Sequence, residues 1–246
     1  RILTLLENKY YRFLGLNLTI ETLDGLIKHN GPIYQKKKID TIIGLEKFKN
    51  KIILDNQPSL EAQISAISDD IAYNNHDIQD GIRAKLFSIN NLIEINFFKD
   101  IYKNNLKLIN KNNKNIIIYQ IVRDSINLMV RDLIKNTIKN IKKNKYKTIE
   151  NIFKNNNKIV CFSRKFQDID NEVKYFLKTK MYNNKNVLKK NNEGKYIIKK
   201  LFNYILKKPN NFIKKELMKD DKYRAIADFI SGMTDRYAVN IYNQIK

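Results

Sequence analysis

The chain has 246 residues, a formal net charge of +22, 43% hydrophobic residues, one cysteine, three prolines, seven glycines and no tryptophan. That apolar fraction is too high for a disordered chain. No run of eighteen apolar residues is present to span a membrane, and a lone Cys161 excludes an internal disulfide framework or a cysteine-rich zinc site.

A reducing, cytoplasmic location is the expectation, and the length suits one globular domain or two small ones. The chain opens on Arg1 with no initiator Met and no signal-peptide pattern, so a processed product or a fragment is expected. The 39 Ile, 35 Asn and 39 Lys mark an A+T-rich genome, so much of the lysine reflects codon drift. Residues 1–95 carry twelve side chains of each sign, and the whole excess of positive charge falls in residues 96–246. Segments 111–115 and 139–145 read as solvated surface or loop. A polyanion-binding surface is the functional alternative, giving weak, salt-sensitive backbone contacts, because the arginines that read bases bidentately are scarce.

Glycine and proline are too rare for a strand-and-turn protein, and helical periodicity dominates. Thr19 is set to cap a helix with Ile20, Leu23, Leu26 and Ile27 on one face, stopped by His29-Asn30-Gly31-Pro32. Residues 33–57 read as basic and irregular. Pro58-Ser59 opens a long helix from about Leu60, with Glu61 in its first turn. One or two helices follow over 82–107, and a long one over 117–142 has Ile118, Ile121, Val122, Ser125, Met129 and Leu133 at helical spacing. Further helices are expected over 168–182, 195–206 and 221–245, with Ile159–Phe162 the one candidate strand. The fold class expected is all-α: one domain with a helical C-terminal extension.

Polar groups concentrate between Ser68 and Gly81. Asp69, Tyr73 and Asp77 are spaced four apart, so a helix stacks them on one face within about two turns. Ile64, Ile67, Ile71 and Ile78 are expected to bury the neighbouring face. Carboxylates beside a buried face are costly unless they meet a metal, a cation or donors. A solvated acidic stripe paired with lysines is the plainer reading of the same pattern.

The stretch from Ser59 to Ala84, which includes Ser68-Asp69-Asp70-Ile71-Ala72-Tyr73-Asn74-Asn75-His76-Asp77, closely resembles the bacterial deoxyguanosinetriphosphate triphosphohydrolase-like proteins of the HD-domain metallohydrolase superfamily. Gly15 to Pro32, Lys180-Met181-Tyr182 and Ala227 to Ala238 agree in the same order. The resemblance implies a helical HD-domain-like bundle, with residues 1–110 the C-terminal part of the catalytic domain and 111–246 a helical region continuous with it. It also implies a divalent metal ion held by a His, a His-Asp pair and a final Asp, and attack at the α-phosphorus of a deoxynucleoside triphosphate that releases deoxynucleoside and triphosphate. A homo-oligomer is expected by resemblance.

Residue by residue, the resemblance puts the final metal ligand at Asp69. Tyr73 falls near the triphosphate or sugar, Asp77 on the 3′ side of the sugar, and Lys28 on phosphate. Lys28 also reads simply as a helix C-terminal lysine facing the dipole. The family's first His and His-Asp pair precede the segment matched by Arg1–Thr19, so one of four metal ligands is expected here, in the C-terminal portion of a longer enzyme. A forced set of His29, His76-Asp77 and Asp124 is the other way to assemble ligands. A non-catalytic remnant, or a basic helical module binding nucleotides or nucleic acid, is the alternative function.

Overall fold

The computed structural model describes residues 2–34, 51–106, 114–219 and 221–245, with the side chains of 114 and 115 excepted. Among them the chain is helical and contains no strand. The boundary expected near residue 110, residues 111–113 of the lysine-rich segment, and most of the irregular stretch 33–57 lie outside the described residues. No helix among those described is long and apolar enough to cross a membrane.

The helices are α1 (Ile20–Ile27), α2 (Leu60–Arg83), α3 (Ile89–Leu92), α4 (Asn96–Asn105), α5 (Lys114–Asn144), α6 (Ile149–Phe153), α7 (Arg164–Leu177), α8 (Lys185–Lys207), α9 (Lys222–Ser231) and α10 (Asp235–Ile245). Their caps follow the sequence. Thr19 accepts the Thr22 amide and Ser59 accepts the Ala62 amide, satisfying donors that an open helix end leaves unpaired. Gly31 takes φ +104 just past α1, where a side chain would be strained. The single helix expected over 221–245 is two, because Gly232 ends α9 and Thr234 restarts the chain by accepting the Tyr237 amide.

The chain forms two compact units, Leu18–Tyr182 and Ile2–Asn17 with Asn183–Lys246. In the first, α2 packs on α1, α5 and α7. Its main core gathers Ile78, Leu92, Phe98, Ile121 and Leu177, and a second cluster gathers Ile71, Met129, Leu133, Val160 and Phe162. In the second unit, Leu201, Ile205, Ile226, Ile230 and Ile241 of α8, α9 and α10 make the core. Residues 139–145 form the exposed end of α5 and the residue after it.

Two further expectations need correction. Ile159–Phe162 is not a strand. Its backbone bonds to side chains instead: Gln63 Oε1 accepts the Ile159 and Val160 amides at 2.9 and 3.1 Å, Asn140 donates to the Ile159 carbonyl at 3.0 Å, and Asn136 donates to those of Cys161 and Phe162 at 2.9 and 3.0 Å. Amide side chains from α2 and α5 thus replace a partner strand. Second, Ile64 is 47% exposed, while Gln63 beside it is buried. The bonds to the 159–160 backbone, with Gln63 Nε2 donating to the Pro58 carbonyl at 2.9 Å, turn the amide inward. Ile71 and Ile78 are buried as expected.

Candidate functional site

Because α2 is unbroken from Leu60 to Arg83, every fourth residue falls on one rib. Asp69 and Tyr73 on that rib are exposed and Asp77 is half-buried; Tyr73 is 65% exposed. The helix rise spreads Asp69 to Asp77 over about 12 Å, the span of an extended small molecule. The three side chains expected to act together do share a face, open to solvent at Asp69 and Tyr73 and partly covered at Asp77.

The Asp69 end of the rib lies beside the close of α1. His29 Nε2 stands 3.5 Å from Asp69 Oδ2. Lys28, one residue earlier, is buried, and its Nζ lies 2.6 Å from Asp24 Oδ1 one turn back along the chain. Lys28 is therefore held in an ion pair rather than extended over a solvated helix end. Lys28 and His29 line a cavity of about 660 Å³ whose other walls include Glu61, Ala62 and Ser65 of α2 and Phe153 of α6.

At the other end, the Tyr182 hydroxyl donates to Asp77 Oδ2. Burial, then the hydrogen bond to Asp77 and its negative charge, push the Tyr182 phenol up to about 12. The proton therefore stays on Tyr182, which orients the carboxylate. Tyr182 falls in a stretch that carries the family resemblance, yet no sequence spacing ties it to Asp77.

Behind the rib, α7 grips the adjacent edge of α2. Lys174 Nζ lies 3.0 Å from Asp70 Oδ2 and 2.8 Å from Asp170 Oδ2, and Asn74 Nδ2 donates to Asp170 Oδ1 at 3.1 Å. Asp170 is 2% exposed, so its charge needs these partners. Burial pulls the Lys174 ammonium down, but the two carboxylates more than offset it and leave it raised.

Other candidates are not brought together. His76 is exposed. Asp124 accepts from Asn105 at 2.6 Å and Gln120 at 3.0 Å. Among the described residues no three His, Cys, Asp or Glu side chains converge as metal ligands, so the set of His29, His76-Asp77 and Asp124 does not assemble. Asp69 and His29 give two donors, fewer than the four to eight that zinc, magnesium or calcium takes. The described residues alone do not fit a complete divalent-metal site.

Residues 160–244 match the family described as "Phosphohydrolase-associated domain". Along nearly its whole length the chain is similar in sequence to proteins named deoxyguanosinetriphosphate triphosphohydrolase-like. It is 64% identical over 241 residues to the protein of that name from Pelagibacter ubique (strain HTCC1062), covering 98% of this chain and 65% of that protein. It is 36% identical over 251 residues to the one from Leptospira interrogans serogroup Icterohaemorrhagiae serovar copenhageni (strain Fiocruz L1-130), covering 100% and 63%. With the one from Bartonella quintana (strain Toulouse) it shares 38% over 260 residues, covering 100% and 64%. The chain thus spans just under two thirds of the length of these relatives.

Proposed function

We propose that this chain supplies the substrate-facing helix of a metal-dependent deoxynucleoside triphosphate triphosphohydrolase, with a dGTP-type substrate. The observation that carries the reading is the rib Asp69–Tyr73–Asp77, exposed at Asp69 and Tyr73, in a chain similar to proteins named deoxyguanosinetriphosphate triphosphohydrolase-like. Asp69 is an anionic ligand for a divalent ion, completed by ligands other than those described. Such an ion, when bound, supplies charge neutralisation at the phosphates. Tyr73 orients the triphosphate or sugar. Asp77, held by Tyr182, accepts a hydrogen bond from the 3′ side of the sugar. Lys28 contacts phosphate if it exchanges Asp24 for the ligand. A cytoplasmic location and a homo-oligomer belong to the same reading.

The test is the complete gene product, purified and incubated with each deoxynucleoside triphosphate and with magnesium or manganese, with released triphosphate and deoxynucleoside separated by anion exchange. Metal-dependent release of intact triphosphate, lost in Asp69→Asn, supports the reading. No triphosphate with any nucleotide or metal overturns it.

A second reading, a non-catalytic basic module for nucleotides or nucleic acid, draws on α8. There Lys185, Lys189 and Lys200 are exposed beside Tyr196, with Lys200 Nζ 5.2 Å from the Tyr196 ring centre. Salt-sensitive oligonucleotide binding without any hydrolysis would favour it.

A further inference from the structure

We infer that Asp70 and Lys174 are positioning residues that fix the rotational setting of α2, and with it the heading of Asp69, Tyr73 and Asp77. This rests on the function proposed above and assigns roles to residues outside that rib. Asp70 and Asn74 each follow a rib residue directly, one helical step of about 100° round from Asp69 and Tyr73. Both are held from α7, Asp70 by Lys174 and Asn74 by Asp170. Lys174 also bonds Asp170, so the two holds are one connected network.

The network is graded in burial. Asp170 is sunk in the packing between α2 and α7, while the side chains of Lys174 and Asp70 are 44% and 55% exposed. The outer pair is a poor source of stability, because exposed ion pairs contribute little. What it can supply is direction. A rotation of α2 by a fraction of a step would swing the Asp69 and Asp77 carboxylates away from a ligand spanning both, and misplacement by about 1 Å is enough to cost turnover heavily. Rotation is opposed here at two points one turn apart, on the side of the helix facing α7.

The experiment uses Asp70→Asn, which removes the charge from the outer link and leaves Asp170–Lys174 intact, so the buried carboxylate keeps its charge partner. Lys174→Arg preserves the cation and serves as the conservative variant. Lys174→Met with Asp170→Asn removes the network without leaving an unpaired buried charge. In the complete gene product, Asp70→Asn is expected to lower kcat about tenfold with KM changed less than about twofold, the pattern of a lost transition-state alignment. Its Tm should stay at the unmodified value, and Lys174→Arg should retain most of kcat. In the 246-residue chain, the side-chain carboxyl ¹³C resonances of Asp69 and Asp77 should shift together in Asp70→Asn.

Unchanged kcat and unchanged resonances in a folded Asp70→Asn protein overturn the inference. A fall in kcat that merely tracks a fall in Tm across the variants does so too, since it shows a structural role. An unmodified protein without hydrolysis refutes the proposed function instead. The carboxyl resonances then decide the positioning claim alone.

Discussion

The Tyr182 hydroxyl donates to Asp77 across 105 positions of sequence, tying the end of the Leu18–Tyr182 unit to the long helix α2. The bond has a pH signature. An ordinary tyrosine loses its proton near 10, whereas Tyr182 is pushed up to about 12 by burial and by Asp77. A folded-state value above the unfolded one stabilises the protein fully below about pH 10, and that contribution is lost as pH rises towards about 12.

Tyr182→Phe should therefore destabilise the chain at neutral pH by less than about 1 kcal/mol, since the pair is partly exposed. The gap between variant and unmodified protein should close as pH climbs above about 10. Urea denaturation at several pH values between neutral and alkaline measures it. A gap that stays constant across the range would show that the hydroxyl contributes packing alone.

Gln63 offers a sharper test of the fold. Its amide oxygen accepts two backbone amides and its nitrogen serves the Pro58 carbonyl, all in a buried setting. Gln63→Met keeps the volume and leaves those groups unpaired, at about 1–3 kcal/mol for each buried orphan. A loss of several kcal/mol in urea denaturation is expected, far more than for Ile64→Ala at the exposed neighbouring position. Equal losses at the two positions would mean that water satisfies the 159–160 backbone.

These residues also show what the sequence made legible. The caps Thr19 and Ser59, the apolar face of α5 and the rib at 69, 73 and 77 rest on contacts within one helix, which spacing alone specifies. Gln63, Asn136 and Asn140 are different. Nothing local distinguishes a glutamine or asparagine that turns inward to bind another segment's backbone from the many that face water. Their partners at 159–162 therefore read as a strand, being apolar and β-branched. The same limit hid Tyr182 from Asp77 and Lys174 from Asp70, because long-range pairs leave no period in a sequence. The position of His29 beside Asp69 was equally invisible, although both residues stood within recognisable stretches.

Lys28 separates a structural role from a functional one. Its ammonium is buried against Asp24. Lys28→Met strands a largely buried carboxylate and should cost about 3 kcal/mol. The double variant Lys28→Met, Asp24→Leu removes both charges and should regain most of that stability. If Lys28 also meets phosphate, the double variant will fold well yet show a raised KM for nucleotide in the complete gene product. A KM equal to that of the unmodified protein assigns Lys28 to the helix alone.

The rib itself is tested by comparing its three members. Asp69→Asn in the complete gene product should abolish hydrolysis with the helical circular dichroism unchanged, because an exposed carboxylate on a fully formed helix contributes little to folding. The 246-residue chain alone should bind divalent metal weakly and release no triphosphate, since Asp69 and His29 offer too few donors to fix an ion against water. Asp77→Ala should raise KM and relax the preference among 3′-modified nucleotides, as a charge-assisted hydrogen bond to a hydroxyl is lost at about 1–3 kcal/mol. Tyr182→Phe should produce a weaker version of the same change, because it frees the Asp77 carboxylate without removing it. Tyr73→Phe should instead lower turnover, if the hydroxyl touches phosphate. Should Asp77→Ala and Tyr73→Phe both unfold the protein and leave the kinetics of the folded fraction untouched, those two residues serve the fold. Asp69 alone would then carry the chemistry of this helix.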